Sequence, residues 1–153
     1  MTGQPPEKKA KGTRGEGTSG QPPEHAAKTL PGDEELTRLR SQDGVYDALV
    51  RNMVWSFESK GLAIRHPQPG ESPSLEVDGC LPSLAAESER ATFILEFATA
   101  AMLQHPHLTV RLQALQKIVW ARRWLVVPSD EWAEARALVA NRHLNWQVIV
   151  GDR

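Results

Sequence analysis

The sequence predicts an α+β fold: a single domain of about four helices and four short strands behind a disordered N-terminal arm. Three observations predict it. Residues 1–32 hold eleven of the twenty-two Gly and Pro residues and no aromatic residue, whereas residues 33–153 hold all five Trp, all three Phe and the single Tyr. A stretch without large apolar side chains cannot bury enough surface to offset the entropy of ordering it. Beyond residue 32, apolar residues recur at helical spacing in some segments and alternate or run together in others. At 121 residues, that part has the size of one domain with its own core.

The arm carries a short repeat. Gly3-Gln4-Pro5-Pro6-Glu7 returns as Gly20-Gln21-Pro22-Pro23-Glu24, seventeen residues later. Paired prolines favour an extended conformation, so the repeat reads as a docking segment or as a duplicated linker. The arm has a net charge of +2 and the domain −3, giving −1 for the chain.

Order should begin at Asp33. Asp33, Glu34 and Glu35 place acid at the start of a short helix carrying Leu36 and Leu39, which suits the helix dipole. Asp43 is an N-cap for a longer helix over 44–59, with Tyr46, Leu49, Val50, Met53 and Phe57 on its core face. Gly61 stops it. Residues 62–65 and 74–78 read as strands of an antiparallel hairpin around a proline-rich tip, the second closed by Gly79. The spacing of Phe93, Ile94, Phe97, Ala98 and Ala101 predicts a helix over 83–104. Pro106 separates it from a third long helix over 107–120, with Leu108, Leu112, Leu115, Ile118 and Val119 on its apolar side. The apolar run 124–127 reads as a buried strand. Ser129 caps a helix over 130–142, and 146–150 reads as a last strand. Strand 124–127, helix 130–142 and strand 146–150 suit a parallel β-α-β unit.

Several constellations bear on function. The segment from Phe97 to Ser129 has no acidic residue and carries Arg111, Lys117, Arg122 and Arg123. On a continuous helix, Arg111 and Arg122 would lie three turns apart along one edge and could follow phosphates. The bland reading is arginines that snorkel from a core helix and pair with acids elsewhere. Trp120 falls opposite the stripe of its helix and Trp55 falls away from Met53 and Phe57. Tryptophan is enriched at contact surfaces, so Trp55, Trp120 and Trp124 are the candidate partner contacts.

Helix 44–59, residues 60–65 and the proline-rich hairpin resemble the last helix and wing of winged-helix regulators. That resemblance implies a helix in the DNA major groove and a wing on the backbone. Only residues 33–43 stand where that family has two preceding helices. Leu75-Glu76-Val77-Asp78-Gly79, followed by residues 124–132 with their Glu131-Trp132, resemble the RAP domains of organellar RNA-binding proteins and other nuclease-like α/β folds. Those families place a Val-Asp-Gly strand end before a helix, a strand and a Glu-Trp. The resemblance implies RNA contact, or cleavage around Glu76 and Asp78. The metal-dependent relatives also carry a second acid with a lysine on the neighbouring strand. No Glu-x-Lys follows on a strand here, and phosphoryl displacement by a metal pair needs two coordinating carboxylates. The alternative for Glu76 and Asp78 is the solvent face of a strand.

No cofactor or metal is expected. His105 and His107 with one cysteine, Cys80, fall short of a closed four-ligand zinc site, and no glycine-rich phosphate loop is present. Without a charged and apolar leader or a long apolar run, the expected setting is cytoplasmic and reducing, with no membrane contact. The favoured function is a small intracellular, non-catalytic regulatory or adaptor protein that binds a protein partner or a second copy of itself. The alternative is nucleic-acid association through residues 111–123, and a third is a nuclease-like enzyme around Glu76 and Asp78.

Overall fold

The computed structural model describes residues 32–152. The expected arm lies outside the described residues, apart from Gly32. The fold is α+β, with five helices and a mixed five-stranded sheet among the described residues. Helix α1 spans Asp33–Ser41 and α2 spans Gly44–Ser59. Strands β1 (Ala63–Arg65), β2 (Leu84–Glu87) and β3 (Thr92–Phe97) follow. Then come α3 (Ala100–Leu103), α4 (Pro106–Leu115), β4 (Arg122–Val127), α5 (Trp132–Asn141) and β5 (Gln147–Val150). The sheet order is β1-β2-β3-β4-β5, with the first three strands antiparallel and β3, β4 and β5 parallel.

Helix α2 starts where expected. The Asp43 carboxylate accepts from Val45 N–H at 2.9 Å and Tyr46 N–H at 3.2 Å. Its second oxygen accepts from the Thr99 hydroxyl at 2.6 Å, tying the cap to the end of β3. Leu49, Met53 and Phe57 bury against one face of the sheet, on Leu84, Ala86, Leu95, Phe97 and Val126. The other four helices pack on the opposite face, around Ala85, Ile94, Leu125, Val127 and Val148. The strands are therefore covered on both sides, which makes them near-continuous apolar runs rather than simple alternations.

That double burial explains the main correction. Residues 84–97 form two antiparallel strands, not one long helix. Phe93, Leu95 and Phe97 face α2, while Ile94 and Glu96 face the other layer. Spacings of three and four in a run buried on both faces mimic a helical stripe. The turn between β2 and β3 is fixed by Ser88, whose N–H donates to Ala91 O at 2.9 Å and whose hydroxyl accepts from Arg90 N–H at 3.2 Å and Ala91 N–H at 3.3 Å.

The expected 62–65/74–78 hairpin does not form. Strand β1 pairs with β2 instead, with Ile64 opposite Ala86. The wing of the winged-helix resemblance is therefore absent. Residues 74–78 make no regular strand. Asp78 and Gly79 are the centre of a tight turn, with φ of 53° and 78°, and Val77 and Cys80 exchange both backbone hydrogen bonds around it. Asp-Gly suits that turn because both central positions require positive φ. Helix α4 ends at Leu115, five residues before Trp120, so Val119 leaves the core and is 77 % exposed. The β4-α5-β5 unit forms with parallel pairing of Leu125 to Val148, but Ser129 does not cap α5. A 3-10 turn over Ser129–Glu131 precedes the helix, and the Ser129 hydroxyl donates to Asp152 instead.

Candidate functional site

Two places in the fold gather chemistry-bearing side chains. The first is buried. Glu96 of β3, with no exposed surface, points toward α4 and meets Arg111, also buried. Arg111 Nε donates to Glu96 Oε1 and Nη2 to Oε2, both at 3.0 Å, a two-pronged pair. Ser83 N–H donates to Glu96 Oε2 at 2.6 Å, and Arg40 Nη2 of α1 donates to Oε1 at 3.3 Å. Arg111 also reaches Leu81 O at 2.6 Å and Asp33 Oδ1 at 3.1 Å.

The cluster extends along the acidic first turn of α1. His107 Nε2 lies 2.7 Å from Asp33 Oδ1. His105 Nδ1 accepts from His107 N–H at 3.1 Å, which leaves Nε2 to donate to Glu35 Oε1 at 3.1 Å. The two histidines are thus clamps on α1. Among the described residues, no group of three or more His, Cys, Asp or Glu side chains is placed to hold a metal ion.

Electrostatics follow from these partners. Burial pushes the Glu96 carboxyl up, but the charges of Arg111 and Arg40, with the hydrogen bonds of Arg111 and Ser83, outweigh it and hold the group below the usual carboxylate range. Burial likewise works against the Arg111 charge, and Glu96 more than offsets it. The Thr99 hydroxyl holds Asp43 below its ordinary value. Burial pushes the Cys80 thiol up to about 12, far from a nucleophilic thiolate. The cluster joins α1, α4, β3 and residues 81–83. Arg111 and Glu96 spend their hydrogen bonds within it, while Arg40 Nε and Ser83 Oγ are buried without a hydrogen-bond partner among the described residues.

The second place is exposed. Residues 116–121 link α4 to β4. Arg123 braces them: its Nη1 donates to Ile118 O and Ala121 O, both at 2.8 Å, and its Nε to Asn145 O at 2.9 Å. Asn145 N–H donates to Gln116 Oε1 at 2.9 Å, and Trp146 Nε1 to Leu112 O at 2.9 Å. On this braced loop Val119 and Trp120 face solvent, Trp120 at 55 % exposure.

The structure separates the residues grouped by sequence. The helical strip from Arg111 to Arg122 does not form, because Arg111 is buried on Glu96 and Arg122 is on β4. Arg122 lies 5.5 Å from the Phe93 ring centroid, and Lys117 Nζ is 2.8 Å from Asp78 Oδ2. Asp78 therefore sits at a turn tip beside a lysine, and Glu76 is half-buried in the same irregular segment. Of the candidate contact residues, Trp55 is 73 % exposed on the outward side of α2. Trp124 is half-buried, with its ring 5.4 Å from Phe57 and 5.0 Å from Phe93, so it is mainly a packing residue.

Sequence reasoning missed Glu96, Arg40 and Asp33. A signal was present: an acid within Phe93-Ile94-Leu95-Glu96-Phe97-Ala98 must be paired if the run is buried. Comparisons with protein-family profiles, with curated proteins and with solved structures find no match.

Proposed function

We propose that this chain is a non-catalytic regulatory or adaptor protein that acts through a protein contact surface centred on the Val119–Trp120 loop. The observation that carries this reading is a large aromatic side chain held in solvent on a loop that Arg123 fixes from below. An indole offers broad apolar area and one N–H donor at small entropic cost, and a braced loop loses little further freedom on binding. The buried acids and bases support the same reading, since Glu96 and Arg111 hold each other and the fold together.

Nucleic-acid association draws less support. Of the four basic residues in question, Arg111 is buried, Arg123 holds loop carbonyls, and Lys117 is paired with Asp78. Among the described residues, no helix is long and apolar enough to cross a membrane.

The test is Trp120→Ala, with thermal unfolding and association measured on the same variant by sedimentation and quantitative pull-down. The expected outcome is an unchanged thermal midpoint and a loss of about 2 kcal/mol or more in association. Lost stability with unchanged association would return Trp120 to packing and reject the contact surface.

A further inference from the structure

The contact surface has a candidate occupant in the chain itself. The described residues begin at Gly32, which lies against the His107 ring at the start of α4. Helix α4 has ten residues, about 15 Å of axis, and the loop bearing Val119 and Trp120 follows its far end. Pro22 and Pro23 stand ten and nine residues before Gly32. Nine residues of extended chain reach about 30 Å. The second Gly-Gln-Pro-Pro-Glu copy therefore has the tether length to arrive at the loop, while the first copy, seventeen residues further out, has a lower effective concentration there.

The chemistry matches. Paired prolines lean toward the polyproline conformation without partners, so they lose little freedom when they dock, and their rings pack on aromatic faces. Trp120 offers such a face with Val119 beside it. Glu24 follows the proline pair, and exposed Arg122 follows Trp120 by two residues. The other exposed tryptophans are poorer seats: Trp132 already has Arg136 at 4.8 Å from its ring centroid, and Trp55 stands on a helix face beside Arg51 and Glu58. We propose that the segment Gly20-Gln21-Pro22-Pro23-Glu24 docks on the Val119–Trp120 loop of its own chain and occludes it. The proposal rests on the reading of that loop as a contact surface and makes the arm its internal competitor.

The test uses the full chain with Ser19→Cys carrying a nitroxide; Cys80, fully buried, is shielded from the label. The readout is the set of tryptophan indole N–H signals in a nitrogen-15 spectrum. The Trp120 signal should lose most of its intensity while that of Trp55, on α2 across the sheet, keeps its own. Pro22→Ala with Pro23→Ala in the same labelled chain should restore the Trp120 signal. An untouched Trp120 signal, or equal loss at Trp55, overturns the proposal. Broadening seen only when nitrogen-15 chains are mixed with separate labelled chains moves the occupant to a second copy and overturns docking within one chain. If Trp120→Ala abolishes association while the nitroxide leaves Trp120 untouched, only the arm's docking fails. If Trp120→Ala leaves association unchanged, the surface itself fails.

Discussion

Glu96 is the only acid in β3, and it is buried without exposed surface in a strand covered on both faces. A lone carboxylate there would cost several kcal/mol, so the residue stands or falls with Arg111. Its folded pKa lies below the ordinary value of 4.5, and that of Asp43 lies below 3.8. Groups of this kind bind fewer protons folded than unfolded. Their stabilisation is complete above the unfolded pKa and is lost as pH falls through the folded one. The thermal midpoint should therefore hold from neutral pH down to about 5 and fall steeply below. Glu96→Gln should cost about 3–5 kcal/mol at pH 7 by leaving Arg111 charged and half-partnered. It should also flatten the acid limb. Denaturant titrations of both proteins between neutral pH and pH 3 check this, and parallel curves would show that Glu96 is not the titrating group.

The elements were legible in proportion to how one-sided their burial is. Helix α2 has a solvent face, a cap at Asp43 and a stripe at Leu49, Met53 and Phe57, and its bounds follow from the sequence. Strands β2 and β3 have no solvent face along their buried length, so period-two alternation is hidden and Phe93, Ile94 and Phe97 imitate a helix. The ion cluster was illegible for a related reason. Its members come from residues 33, 40, 96 and 111, and only the packing of α1 and α4 on β3 brings them together. Gly151 is another position whose role only packing reveals. Its N–H donates to Val127 O at 2.9 Å, and its carbonyl accepts from Asn52 of α2 at 3.2 Å. A Cβ there would overlap Val126 Cγ1 and come within 3.2 Å of Leu49 Cδ2. Gly151→Ala should therefore cost about 1–3 kcal/mol by forcing α2 off the sheet. An unchanged denaturation midpoint would mean that Val126 and Leu49 yield without strain.

At the scale of the molecule, stability should be graded from the middle of the sheet outward. Strands β3 and β4 are paired on both sides and lie between two buried clusters. Strand β1 has three residues, one neighbour, and no fully buried position. It is held mainly by α2 and by Arg65, whose guanidinium lies 3.5 Å from Glu87 and 3.9 Å from Glu71. Few buried contacts and short ladders open at low free energy, while central strands open only with global unfolding. Native-state hydrogen exchange should therefore show the amides of Leu125 and Val126 exchanging with the denaturant sensitivity of global unfolding. The hydrogen-bonded amides of β1 should exchange through a smaller opening with weak denaturant dependence. Helix α1 gives the discriminating case, because it is a surface helix whose anchors are Leu36 and the ion cluster. If those ion pairs hold it as firmly as their burial implies, α1 should follow the central strands at neutral pH. It should exchange faster by about tenfold or more once Glu96→Gln removes the carboxylate that Arg40 holds, each factor of ten being about 1.4 kcal/mol. Exchange of α1 at the rate of β1 in the unaltered protein would show that the cluster fastens β3 to α4 alone, with α1 resting on Leu36.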